Sequence, residues 1–97
     1  MDTEATRYLA NPVVSCGDEQ DGAILFNPDT DDMVVINPTG RLLWDLLQTP
    51  QSIAEMAARL SETYPDVSLE QATQDAQAFV DELLGDFLEE GQADDDE

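Results

Sequence analysis

The chain is 97 residues long, which is room for one small domain. Its 23 acidic residues stand against three arginines and no lysine, a net charge of −20. That balance excludes nucleic acid and anionic membrane surfaces as partners, because both need clustered Lys or Arg.

The opening Met1-Asp2-Thr3-Glu4 is acidic with no apolar run behind it, so residues 1–8 read as a flexible N-terminus and not a signal peptide. Val13-Val14-Ser15-Cys16 is a short β-branched run, ended by the polar stretch that begins at Gly17 and closes at Gly22. Ala23-Ile24-Leu25-Phe26 and Met33-Val34-Val35-Ile36 are two further apolar runs. Between them, Asn27-Pro28-Asp29-Thr30-Asp31-Asp32 is turn chemistry: proline sets φ and the Asx side chains bond local backbone groups. These runs predict a three-stranded antiparallel meander. Its second and third strands are apolar on both faces, whereas a small sheet with one side in water should alternate.

Three helices follow. Asn37 caps the first, Pro38 suits its first position, and Leu42, Leu43, Leu46 and Leu47 form one face until Pro50 ends it. Ser52-x-x-Glu55 is a capping box for the second, whose Ile53, Met56, Ala57, Leu60 and Tyr64 share a stripe. Glu55 precedes Arg59 by four residues, the favourable orientation for a surface ion pair. Pro65-Asp66 breaks the chain, and Ser68-x-x-Gln71 opens a third helix expected over residues 69–90. There Ala72, Ala76, Phe79, Val80, Leu83, Leu84, Phe87 and Leu88 cover about half the circumference, wider than a single neighbour needs. The excess width predicts a second neighbour or a groove. Residues 92–97 are a like-charged tail expected to be disordered, which leaves residues 9–91 as the domain.

Charge is uneven along the chain: −7 over residues 1–37, −1 over 38–64 and −12 over 65–97. Most packing is expected in the near-neutral middle. Cys16 reads as a buried strand cysteine in preference to a reactive thiol. Trp44 lies off the leucine stripe and reads as wedged against the sheet, in preference to a binding aromatic. The run from Asp29 to Asp32 fails the calcium-loop pattern, whose sixth position would be Val34 and twelfth Gly40. Asp75, Glu82 and Asp86 border the apolar arc of the third helix beside Phe79. They are either a grip for basic side chains or a solvated helix border. The acidic excess likewise fits either a basic partner, steered electrostatically, or a halophilic host.

Two strands and their turn, Gly22-Ala23-Ile24-Leu25-Phe26-Asn27-Pro28-x-Thr30 and Val34-Val35-Ile36-Asn37-x-Thr39-Gly40, resemble the PqqD family. So do Leu43-Trp44-x-Leu46-Leu47, Ile53-Ala54-Glu55-x-Ala57-x-x-Leu60 and Asp75-x-x-x-Phe79-Val80-x-x-Leu83. The resemblance covers about residues 9–91 and rests on five segments in order, not on any one of them. It implies an α+β, winged helix-turn-helix-like fold, with the three-stranded antiparallel sheet followed by three helices. It also implies a stand-alone RiPP recognition element, which holds the leader of a ribosomally made precursor peptide for a modifying enzyme such as a radical-SAM maturase. In such domains the leader adds as a strand to the edge of the third strand and packs against the third helix, a β-augmentation. Here that edge is Asp32, Met33, Val34, Val35 and Ile36, and the helix face is Ala72, Asp75, Ala76, Phe79, Val80 and Leu83. The family often ends the third helix with Gly followed by aliphatic residues, whereas Gly91 here precedes Gln92 and the acidic tail.

Other classes fit less well. Histidine and lysine are absent and the carboxylates are scattered, so no acid–base constellation, catalytic residue, cofactor or metal site is expected. A lone cysteine forms neither an internal disulfide nor a Cys₄ zinc site, and no Gly-rich phosphate loop occurs. An acyl carrier needs Asp-Ser-Leu at a helix start, where this chain has Asp66-Val67-Ser68-Leu69. A winged-helix DNA binder needs a basic third helix. The alternative that survives is an acidic interaction module or inhibitor, a DNA mimic, with no leader peptide. No run approaches the ~20 apolar residues of a membrane span, so a cytoplasmic protein is expected. It would be a monomer, or a dimer paired through the exposed strand edge.

Overall fold

In a computed structural model, which describes residues 6–91, the chain runs β1 (Arg7–Ala10), β2 (Ser15–Glu19), β3 (Gly22–Asn27), β4 (Asp32–Ile36), α1 (Pro38–Leu46), α2 (Ile53–Thr63), α3 (Leu69–Leu83) and β5 (Leu88–Gly91). Residues 92–97, expected as a tail, lie outside the described residues. The fold is α+β. Strands β2, β3 and β4 form the antiparallel meander in that order, and β1 pairs with β5 in a separate two-stranded sheet.

The meander is set by its two turns. Gln20 and Asp21 form a two-residue turn, and Gly22 leaves it at φ +131°, a conformation L side chains rarely adopt. A Cβ at Gly22 would lie 1.8 Å from the Ile36 carbonyl oxygen, so only glycine fits against the end of β4. In the second turn Asn27 Oδ1 accepts from the Asp29 N–H at 2.8 Å, and the Asn27 carbonyl accepts from the Asp31 N–H at 2.8 Å. Asp31 takes the left-handed conformation, φ 62°, which a short Asx side chain tolerates. Along β3 burial alternates, with Ala23, Leu25 and Asn27 inward.

The first strand of the meander differs from the expected run at residues 13–16. It starts at Ser15 and continues through Gly17, Asp18 and Glu19, because the tight turn pairs Glu19 with Gly22. Every residue of β2 is exposed, so Cys16 is an exposed thiol and not a buried one. Pairing to β3, and not burial, holds this strand.

The helix caps follow the sequence. Asn37 Oδ1 accepts from the Gly40 N–H at 2.8 Å, with Pro38 in the first turn of α1. Ser52 and Glu55 close the capping box of α2, and Ser68 accepts from the Gln71 N–H at 3.1 Å to start α3. Glu55 does not pair with Arg59. Its Oε1 accepts from Arg7 Nη1 at 2.7 Å, tying β1 to α2, and Arg59 pairs with Glu62 instead. The backbone hydrogen bond from Ser52, foremost, and the nearby Arg7 hold the Glu55 carboxyl below its usual range. Between the meander and the helices lies one apolar core, with Leu25, Leu43, Leu47, Met56 and Leu60 fully buried and Trp44 among them.

The third helix is shorter than its hydrophobic spacing suggests. It ends at Leu83; Leu84 is extended and Gly85 takes φ +109°. The chain turns back, burying Phe87 and Leu88, and β5 pairs antiparallel with β1, Tyr8 opposite Glu90. Glycine at this C-terminal position stops the helix, and β1 supplies the backbone partners that further helical turns would otherwise have supplied. Arg7 and Tyr8, expected within a flexible N-terminus, are the first half of β1. A packed final segment thus follows α3.

Candidate functional site

In the meander order β2-β3-β4, the far side of β4 has no strand beside it among the described residues. The register fixes what that edge offers. Glu19 and Gly22 close a two-residue hairpin and exchange their backbone bonds, and backbone groups then alternate sides along each strand. Ala23, Leu25 and Asn27 therefore bond toward β4, opposite Ile36, Val34 and Asp32. By the same alternation the N–H and C=O groups of Met33 and Val35 point to the free edge. Their side chains share the outer face of the sheet with half-buried Ile24 and Phe26, and are themselves 62% and 70% exposed.

Beside this edge runs an open cleft of about 310 Å³. Val34, Val35 and Ile36 form one wall, and Asp75, Ala78, Phe79, Glu82 and Leu83 of α3 form the other. The start of α1 supplies the floor with Asn37, Thr39, Gly40 and Leu43. Gly40 is what lets the floor sit close: a Cβ there would lie 3.0 Å from Ile36 Cβ and 3.2 Å from Phe79 Cε1.

Of the strand residues singled out in the sequence, Val34, Val35 and Ile36 line the cleft. Asp32 and Met33 share the edge strand but not the cleft wall. Of the helix residues, Asp75, Phe79 and Leu83 line it. Ala72, Ala76 and Val80 do not: they are 0–1% exposed in the core, because α3 turns that side to the rest of the domain. Sequence reasoning missed Asn37, Thr39, Gly40, Leu43 and Ala78 as lining residues. One signal was present, since a glycine inside a helix costs about 1 kcal/mol and points to a close approach.

The rim is acidic. Asp75 is half-buried and accepts from Gln71 Nε2 at 2.9 Å, while Glu82 is exposed. Asp86, expected on the same helical border, lies past the end of α3 next to Asp32. A side-chain hydrogen bond with Asp32, foremost, raises its carboxyl above the ordinary aspartate range, and some loss of solvation and the Asp32 charge add to this. Asn27 and Asn11 donate from their side-chain amides to the Asp86 carbonyl, fixing the turn there. The three arginines are engaged elsewhere: Arg7 with Glu55, Arg41 with Asp18 and Asp45, Arg59 with Glu62. Among the described residues no group of three or more His, Cys, Asp or Glu could hold a metal ion, and no helix is long and apolar enough to cross a membrane.

The arrangement can accept an extended chain: outward donors and acceptors along β4, and beside them a slot with apolar side chains, Phe79 and Leu83 among them, under an acidic rim. A family model described as Coenzyme PQQ synthesis protein D (PqqD) matches residues 22–88. No curated protein and no solved structure matches the chain. The matched segment takes in β3, β4 and all three helices, and with them every residue that lines the cleft. By that match over more than half its length, the chain belongs to the PqqD family.

Proposed function

We propose that this chain is a non-catalytic peptide chaperone in the biosynthesis of a ribosomally made, post-translationally modified peptide. It captures the precursor's leader as a fourth strand along the free edge of β4 and presents the rest to a modifying enzyme, of radical-SAM type. The observation that carries this reading is the edge of β4, with no strand beside it among the described residues, opening directly onto a cleft of mixed polar and apolar lining against α3. Main-chain hydrogen bonds to Met33 and Val35 give general affinity, and the slot around Phe79 and Leu83 selects side chains. A shuttle must also release its cargo, so binding near micromolar, about −8 kcal/mol, suits the role.

The test is a titration of the ¹⁵N-labelled protein with short peptides encoded beside its gene, at two salt concentrations. Amide shifts confined to residues 32–36 and 75–83 are the expected result. No response to any neighbouring peptide would remove leader capture as the function. A variant separates strand addition from other docking modes. Proline at an edge position whose N–H faces away from the sheet leaves the ladder intact. Val35→Pro should therefore cost the fold about 1–2 kcal/mol and abolish peptide binding. Unchanged affinity in a folded Val35→Pro protein would rule strand addition out.

A further inference from the structure

We infer that the peptide held in this cleft carries a lysine or arginine whose stem lies over Ala78 and Phe79 and whose head meets Asp75 or Glu82. The inference rests on the strand-addition reading above. Asp75 and Glu82 are seven residues apart, about 10 Å along the helix, on one face with Ala78 and Phe79 between them. Both line the cleft, so a strand laid along β4 takes water away from them. Asp75 is already half-buried, with the Gln71 amide as its side-chain donor. An apolar peptide would deepen that burial with no new partner, which costs free energy. An acidic peptide would add repulsion.

Among the described residues the cleft lining holds no cation. The chain has no lysine, and each arginine is tied to an acid outside the cleft. The compensating charge must therefore arrive with the ligand. A long basic side chain suits the geometry, since its methylenes cover apolar surface while the head stays in the wet rim. The half-buried Phe79 ring adds a face on which a guanidinium can rest. One such residue suffices, because side chains on one side of an extended peptide recur only every ~6.7 Å.

The test uses a displayed library of random twelve-residue peptides against the full chain and two charge-matched variants. One variant is Asp75→Asn with Glu82→Gln. The other is Glu89→Gln with Glu90→Gln, on β5 and outside the cleft lining. Only peptides whose binding is lost in Val35→Pro, or which shift the Met33 and Val35 amides, are counted as edge binders. The expected result is a Lys or Arg at one fixed register position among edge binders. Their affinity should fall roughly three- to tenfold in the cleft variant and stay unchanged in the β5 variant. Edge binders without a fixed basic position, or with equal losses in both variants, overturn the inference and leave strand addition standing. If no peptide binds at the edge, strand addition itself fails and the inference with it.

Discussion

Two faces of α3 carry neighbouring residues of one continuous apolar arc and do opposite work. One face, Ala72, Ala76 and Val80, is fully buried, and its two alanines let the helix sit close against its neighbours. The other, Asp75, Ala78, Phe79 and Glu82, meets the free edge of β4 across open space. Phe79 sits on the boundary, half-buried against the core and still facing the cleft. The difference teaches that a wide apolar arc on a helix is not a single surface. The domain takes the part with the small side chains for its own packing, and a partner is left the part with the acidic rim.

The largest effect should come from placing a charge on each face in turn. Ala76→Glu buries a carboxylate with no partner and should cost about 4 kcal/mol or more, enough to unfold a small domain. Ala78→Glu, two residues on, should change stability by less than about 0.5 kcal/mol while blocking peptide uptake. Urea midpoints and a peptide titration read the two outcomes. Equal destabilisation by both would erase the distinction between the faces. Phe79→Ala tests the boundary. Its half-buried ring should give up about 1–2 kcal/mol of stability, and peptide affinity should fall by about tenfold or more in the same protein. Loss of stability with affinity intact would make Phe79 a core residue only.

Much of this was legible in the chain because local chemistry and tertiary structure agree. Asn37-Pro38, Ser52 with Glu55, and Ser68 each cap a helix where the sequence puts the cap. The turn from Asn27 to Asp32 closes a hairpin through its Asx groups. The strand apolar on both faces does have exposed apolar side chains, Met33 and Val35. What the sequence did not disclose depends on distant partners. At about 100° per residue, Phe87 and Leu88 extend a helical pattern, and nothing local says that Leu88–Gly91 will instead find Arg7–Ala10. Gly85-Asp86 was the available break signal. The split of the α3 arc was hidden for the same reason: angular position gives the order of residues round a helix, but only the neighbours decide where core ends and cleft begins. Glu55 chose Arg7, 48 residues away, over Arg59 one turn on, because its side chain was already turned back to cap Ser52.

The smallest effect separates Asp86 from the two rim carboxylates with which the helical spacing grouped it. The neighbouring Asp32, foremost as a side-chain hydrogen-bond partner, raises the Asp86 carboxyl above the ordinary range, near 3.9 in an unfolded chain. A raised carboxyl means that the folded state holds the proton more tightly than the unfolded state. Its contribution is thus fully present below the unfolded value and is lost as pH rises through the folded one. Above that value Asp86 carries its charge beside Asp32, and the two repel. Asp86→Asn removes that repulsion and keeps a donor for Asp32, so its urea midpoint should exceed that of the parent chain at pH 7. The gap should close as pH falls through the raised value, where the parent chain regains its shared proton. Glu82→Gln, out on the cleft rim, should show no such convergence with pH. A midpoint difference for Asp86→Asn that stays constant from pH 7 down to about 3.5 would mean that the two carboxyls do not share a proton, and would return Asp86 to the acidic rim.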